Sequence, residues 1–351
     1  MLSLNKNSIV GCLLGTAVGD ALGLPWEGLS ANRQRAFISN IKKHHFFCGK
    51  GMCSDDTEHT VLVTQALITA QDDVDIFRRD LARRLRWWLL GLPAGIGFAT
   101  LRGILKLWIG FSPKTSGVFS AGNGPAMRSA ILGLVYGEDL RKLHQFVAAC
   151  TQMTHQDPKA ELGALAVAVA AHLSATNQAR PQKFFETISF ITKEQYSEED
   201  YGPFLELLQI TLRFLEDKSL QELLDHLNLQ QGISGYIYHT LPIVIFIWLK
   251  YPNNYRKAVV EIIRCGGDTD TGAAIVGGII GCAVGKEGIP EEWYSSIIEW
   301  PRTTKWLETL AQNLCDYTPT KANVLLLLIR NIFFLFIALV HGFRRIFPPY
   351  K

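Results

Sequence analysis

Four aspartates with hydroxyl neighbours are the residues in this sequence best suited to chemistry. Ser54-Asp55-Asp56-Thr57 and Gly266-Gly267-Asp268-Thr269-Asp270-Thr271 each open an apolar stretch, so each is expected at the first turn of a helix. Taken singly, either has a structural explanation, since Ser54 is a good N-cap and the helix dipole favours acidic residues in a first turn. Taken together, four close carboxylates repel one another unless protons or cations neutralise them. No Cys or His ligand pattern accompanies them, and an all-oxygen donor set suits Mg²⁺, Mn²⁺ or Ca²⁺ rather than zinc. Asp20 and Glu27 add oxygens at the end of an earlier glycine-rich helix. That much negative charge balances two divalent ions better than one, and a two-metal site can hold adjacent substrate oxygens and activate a water.

Two loops have the make-up of anion or sugar binders. Gly95-Ile96-Gly97 and Ser120-Ala121-Gly122-Asn123-Gly124 offer bare backbone N–H groups that could cradle a diphosphate. Thr154-His155-Gln156-Asp157-Pro158 reads as a helix start, with Asp157 as N-cap and Pro158 at the first helical position. His155 lies just outside that start and can point into a site.

The elements that must position these residues are helical nearly throughout. Apolar residues recur at spacings of three and four in 58–70, 76–90, 126–135, 141–150, 158–174, 204–215, 239–250, 256–264 and 270–284. Alternating β-branched runs are absent, and no Pro/Gly/Ser-rich linker divides the chain. The expectation is an all-α, multi-helix bundle whose polar loops, at 49–55, 91–97, 112–124, 198–203 and 230–235, collect at one end. Gly11, Gly15, Gly19 and Gly23 lie four apart, as do Gly277, Gly281 and Gly285. Glycine costs about 1 kcal/mol at a helix-interior position, so such stripes need a packing reason. They place these two helices at the centre of the bundle. The arginines of 75–90 read as the solvated side of a helix whose other side is Leu81, Leu85, Trp88 and Leu89.

Composition narrows the class further. Of the 351 residues 48% are hydrophobic and 19% charged, which excludes a disordered chain. Lys plus Arg number 35 against 32 Asp plus Glu, too even a balance for a dedicated nucleic-acid binder. Seven cysteines with no C-x-x-C pair read as reduced thiols and point to the cytoplasm.

With the motifs in hand, the sequence resembles the ADP-ribosylglycohydrolase family. Gly11-x-x-x-Gly15-x-x-x-Gly19-Asp20-Ala21-Leu22-Gly23 with Glu27 is similar to the family's opening. Ser54-Asp55-Asp56-Thr57, Gly122-Asn123-Gly124-x-Ala126-Met127-Arg128, Thr154-His155 and the Gly266–Thr271 run follow in the family's order. Gly95 to Thr100 also resembles a loop of the dinitrogenase reductase-activating glycohydrolase branch. The resemblance implies a binuclear Mg or Mn site at one end of an all-α bundle, and hydrolysis at the anomeric carbon of ADP-ribose. By motif position it makes Ser54, Asp55, Asp56, Asp268, Asp270 and Thr271 metal ligands. It gives Glu27, with Asp55 and Asp56, a part in catalysis. Gly95, Gly97, Ser120, Gly122, Asn123, Gly124 and His155 would hold the substrate, an ADP-ribosylated protein or small ADP-ribose conjugate. Ser54 stands where many relatives have Thr, and Ala121 where some have an aromatic. Two alternatives are a family member that binds ADP-ribose without turnover, and another two-metal all-α hydrolase. The second usually recruits His-Asp pairs, and this chain has no His-Asp dipeptide.

The resemblance leaves the tail unexplained. Residues 324–340 are apolar except for Arg330 and Asn331, with Lys321 before them and Arg344, Arg345 and Lys351 after. The expected division is a catalytic domain over 1–316 and an apolar, basic-flanked helix over 317–351, dispensable for chemistry. Asn323, Arg330 and His341 share one side of that helix. The run is just long enough to cross a bilayer. A narrow polar stripe on an apolar helix fits packing on its own domain, self-association, or contact with a membrane surface from the cytoplasm better than a span.

Overall fold

Two glycine-striped helices set the centre of the molecule, α1 (Lys6–Gly23) and α13 (Thr269–Val284). A Cβ on Gly11 would lie 2.0 Å from Gly281 O, one on Gly15 2.2 Å from Gly277 O, and one on Gly19 2.0 Å from Ala273 O. As one residue number rises by four the other falls by four, so the helices run antiparallel with their backbones in contact. The packing reason that the stripes demanded is this close approach. Its consequence is positional: the end of α1 lies at the start of α13, where Thr269 Oγ1 donates to Gly23 O at 2.9 Å.

The computed structural model describes residues 4–30, 34, 41–344 and 347; Arg345 and Lys351 of the basic tail lie outside them. Around the central pair stand α2 (Asp55–Ala70), α3 (Val74–Leu90), α4 (Phe98–Trp108), α5 (Ala130–Tyr136), α6 (Leu140–Gln152), α7 (Pro158–Ala175) and α8 (Pro181–Gln195). Then come α9 (Glu198–Asp217), α10 (Leu220–His226), α11 (Ile237–Lys250), α12 (Tyr255–Arg264), α14 (Glu291–Tyr294), α15 (Thr304–Cys315) and α16 (Val324–Arg344). Among the described residues the strands are only β1 (Leu29–Ser30) and β2 (Gly266–Gly267), so the molecule is all-α as expected. Leu81, Leu85 and Trp88 are buried on α3 while Arg79 and Arg83 are exposed.

Local chemistry corrects two of the expected boundaries. Residues 198–203 form the first turns of α9 rather than a loop, because Ser197 caps the helix through Asp200 N and Glu198, Glu199 and Asp200 fill its acidic first turn. The helix expected over 126–135 divides into a 3₁₀ turn, Ala126–Arg128, and α5, with Ser129 Oγ donating back to Pro125 O at 2.7 Å.

The tail helix α16 lies on the domain along its polar stripe. Arg330 and Asn331 are buried, and Phe334 and Ile337 pack with Leu24, Phe46 and Met52. The opposite stripe, Leu325, Ile329, Ile332, Phe336, Leu339 and Phe343, faces solvent in the single chain.

Candidate active site

The antiparallel central pair brings the sequence's acidic clusters to one end of the bundle, and a short ladder ties the loops to them. Leu29 and Ser30 pair antiparallel with Gly267 and Gly266, and Gly28 N donates to Gly267 O at 2.7 Å. On its other side Gly267 bridges Ile233, whose carbonyl accepts from Asp268 N at 2.9 Å. Gly267 has φ +80°, and a Cβ there would lie 1.9 Å from Ile233 O, so only glycine fits. Asn123 N then donates to Gly235 O at 2.8 Å. One glycine pair therefore fixes Glu27, Asp268, the 233–235 turn and the Asn123 loop relative to one another.

Asp20 is the hub on the other side. Its carboxylate accepts from Ser54 N at 2.9 Å, Thr57 N at 3.2 Å and Thr57 Oγ1 at 2.5 Å, capping α2 from a different helix. Burial pushes its pKa up to about 6, against the pull of Thr57 and Ser54. The sequence reading grouped Asp20 with the oxygen donors; the structure spends its oxygens on orienting α2.

Asp55 and Asp56 occupy the first turn that Asp20 holds. Asp56 Oδ2 accepts from Ser54 Oγ at 3.0 Å and from Thr271 Oγ1 at 3.4 Å, which joins the start of α2 to the start of α13. Asp56 Oδ1 and Asp270 Oδ1 are buried, and among the described residues no group donates to either. Burial, first, raises the Asp55, Asp56 and Asp270 carboxyls well above the usual carboxylate range, and neighbouring carboxylates add to it: Asp20 for Asp55 and Asp56, Glu27 and Asp268 for Asp270. Among the described residues no three acidic, imidazole or thiol side chains close around one point. The donors come as carboxylate pairs with hydroxyls beside them, a set that fits a hard cation retaining several waters.

Asn123 Nδ2 donates to Asp268 Oδ2 at 2.7 Å and to Thr240 Oγ1 at 3.1 Å, so its amide plane is fixed. His155 Nδ1 lies 2.9 Å from Thr154 Oγ1, while Nε2 points towards Gly122, where a Cβ would meet it at 2.8 Å. Burial, helped by Arg128, lowers the His155 pKa to about 3, so the ring is neutral at physiological pH. Arg128 itself is fully buried and donates to Cys150 O at 3.0 Å and Thr154 Oγ1 at 2.7 Å, with His59 Nδ1 3.0 Å away. A cation held among neutral partners behind the Gly122–Gly124 loop favours an anion in front of it.

These groups line one cavity of about 570 Å³, a size that suits a nucleotide-like ligand. Glu27, Asp55, Gly95, Gly97, Ser120, Gly122, Asn123, Gly124, His155, Asp268, Asp270 and Thr271 reach its wall; Ser54 and Asp56 sit behind it. Residues 2–323 match the family described as ADP-ribosylglycohydrolase. The chain belongs to the ADP-ribosylglycohydrolase family. Among its relatives is the ADP-ribosylhydrolase ARH3 of Gallus gallus, 27% identical over 87% of this chain and 93% of that one. Another is the ADP-ribosyl-[dinitrogen reductase] glycohydrolase of Rhodospirillum rubrum, 23% identical over 82% and 89%. A solved structure described as an ADP-ribosylglycohydrolase-related protein complex shares the fold, with TM-score 0.63 and 22% identity over 90% of this chain and 100% of that one.

The sequence motifs leave part of the wall unassigned. Phe98, Met127, Ile233 and Ser234 also line the cavity. Phe98 carried a signal, since it directly follows the Gly95–Gly97 motif, but it opens α4 rather than continuing the loop. Ile233 and Ser234 lay in a segment read only as a polar loop.

Proposed function

We propose that this chain hydrolyses the glycosidic bond between ADP-ribose and a protein side chain or small acceptor, with two Mg²⁺ or Mn²⁺ ions held by Ser54, Asp55, Asp56, Asp268, Asp270 and Thr271. The observation that carries this reading is the pair of orphaned oxygens, Asp56 Oδ1 and Asp270 Oδ1, in a buried carboxylate cluster. An anion without a donor is stable in such a place only with a proton or a cation beside it.

Divalent cations bound there would supply a Lewis-acid grip on ribose hydroxyls and a water of lowered pKa. The chain's own groups do the rest. Backbone N–H groups of Gly95, Gly97, Ser120, Gly122 and Gly124 face the diphosphate, with the Arg128 charge behind them. Asn123, its amide fixed by Asp268 and Thr240, and neutral His155 orient the sugar. As water attacks the anomeric carbon, the bond to the acceptor nitrogen or oxygen breaks and Glu27 accepts the water's proton. The departing acceptor takes up a proton in turn, leaving Glu27 ionised for the next cycle. Asp55 and Asp56 stabilise the positive charge that develops on the ring. The free, mostly buried cysteines support a cytoplasmic setting.

The test is ADP-ribose release from arginine-linked, serine-linked and acetyl-ADP-ribose substrates, with Mg²⁺ and with excess EDTA. Release should require the metal and single out one linkage. Undiminished release in EDTA would remove the metals from the reading, and tight binding without release from any substrate would replace hydrolysis by ADP-ribose binding.

A further inference from the structure

Arg330, Asn331 and His341 of α16 each contact a segment that leads into the cavity. Arg330 Nη2 donates to Cys53 O at 2.5 Å, and its Nε donates to Glu299 Oε2 at 2.8 Å. Glu299 Oε1 in turn accepts from Cys53 N at 2.8 Å, so both backbone groups of Cys53 are tied to one ion pair. Cys53 immediately precedes Ser54, Asp55 and Asp56. Asn331 Nδ2 donates to Gly91 O at 2.8 Å, at the point where α3 ends and the chain runs on to Gly95 and Gly97. Ala94, within that run, packs on the cluster that holds Phe334 and Ile337. His341 Nε2 lies 3.1 Å from Pro25 O, two residues before Glu27.

We propose that α16 is a brace for the active site, with Arg330 as a positioning residue for Asp55 and Asp56, Asn331 for the Gly95–Gly97 loop, and His341 for Glu27. The helix lies beyond residues 2–323, the span that matches the family. The geometry favours a rigid clamp. The Arg330, Glu58 and Glu299 side chains are only 3%, 9% and 10% exposed. The guanidinium fork bonds a carbonyl and a carboxylate at once, which fixes it in two directions. Asp20 holds Ser54 N and Thr57 from the opposite side, so the first turn of α2 is gripped between two carboxylates, one of them held by Arg330. Loss of a partner that orients a metal ligand from behind commonly costs about 10–100-fold in metal affinity or activity.

The brace rests on the reading of the cavity as a metal and ADP-ribose site, and the experiment separates the two. Full-length wild type, Arg330→Lys, Asn331→Ala, His341→Ala and, as a control on the outer face, Leu339→Ser are compared well below their melting temperatures. The measurements are Mg²⁺ affinity and ADP-ribose affinity by calorimetry, with kcat and KM for release. Arg330→Lys keeps the charge but cannot reproduce the fork, so its Mg²⁺ affinity should fall about tenfold or more. Asn331→Ala should raise the ADP-ribose Kd and KM about threefold to tenfold and leave Mg²⁺ affinity at the wild-type value. His341→Ala should lower kcat with both affinities kept, and Leu339→Ser should match wild type throughout. If Arg330→Lys does not fold, His341→Ala, which leaves the ion pair whole, and Asn331→Ala, which removes one acceptor from Arg330 but keeps both glutamates, carry the test. Wild-type affinities, kcat and KM in all folded variants would overturn the brace, because support of the fold alone would move only their melting temperatures. Wild type that binds Mg²⁺ and ADP-ribose but releases nothing would defeat the hydrolase reading, with the brace still read from the affinities. Wild type that binds neither would overturn both.

Discussion

Within one turn of α2 the molecule treats two sets of buried carboxylates in opposite ways. Glu58, with Glu299 from a distant loop, has a cation built in: Arg330 lies 3.5 Å from Glu58 and 2.5 Å from Glu299, and Trp88 Nε1 donates to Glu58 at 2.5 Å. Burial opposes charge on Arg330, yet the two glutamates outweigh it and hold the guanidinium more firmly protonated than a free one. Two residues earlier, Asp56 shares a cluster with Asp270, and each keeps an oxygen to which none of the described residues donates. Their carboxyls are pushed up by burial and by neighbouring carboxylates, chiefly Asp20 for Asp56 and Glu27 for Asp270. The chain neutralises one buried acid pair from within, and among the described residues no side-chain cation does the same at the cavity. The difference marks structural carboxylates on one side and, on the proposed reading, carboxylates that take an outside cation on the other.

The largest effect should come from breaking the second set. Asp270→Asn is expected to lower hydrolysis by about 10³-fold or more, since a charged ligand is lost. In EDTA the same variant should melt at the wild-type temperature or above it, because a repelling buried charge is gone. Glu299→Gln should do the reverse, lowering the melting temperature by leaving Arg330 less compensated. If both substitutions shift stability in the same direction, the contrast between the two sets is wrong.

Removal of the tail tests the first set. Truncation after Asp316 takes Arg330 away from Glu58 and Glu299 and should cost about 3–5 kcal/mol of stability, measured by denaturant unfolding. The sequence reading expected this tail to be dispensable; the buried ion pair gives it a duty in the fold. A truncated chain as stable as the full one would return the tail to that earlier status.

Two smaller effects sharpen the picture on the cavity side. Asn123→Ala should weaken ADP-ribose binding by roughly 1–3 kcal/mol, because Asp268 loses its donor and the sugar its fixed amide. Equal calorimetric affinities for wild type and variant would move the sugar elsewhere in the cavity. His155 has a folded pKa near 3 against about 6.5 when unfolded, so its contribution to stability is present above pH 6.5 and lost as pH falls. Acidifying from pH 7 to 5.5 should therefore cost about 1.4 kcal/mol through this residue, a loss absent in His155→Asn. Identical pH profiles for the two proteins would show that His155 is not buried neutral.

The sequence by itself determined most of the helices, the central place of the glycine-striped α1 and α13, and the oxygen-rich motifs. Those features are local: a period of three to four, a cap followed by acidic residues, and glycines at one face can each be read from neighbours in the chain. Much of the cavity wall was legible for the same reason, since twelve of its residues lie in motifs visible as short runs. Tertiary structure alone decided the rest. Asp20 looked like one more donor until its partners, Ser54 and Thr57, showed it to be a cap for another helix. Ile233 and Ser234 carry no chemical signature and enter the wall only through the Gly267 ladder. Arg330 in an apolar run suggested a polar stripe, but its partners Glu58 and Glu299 are 272 and 31 residues away in sequence. Charge compensation depends on distance in space and on exclusion of water, and neither is encoded in the spacing of residues along the chain.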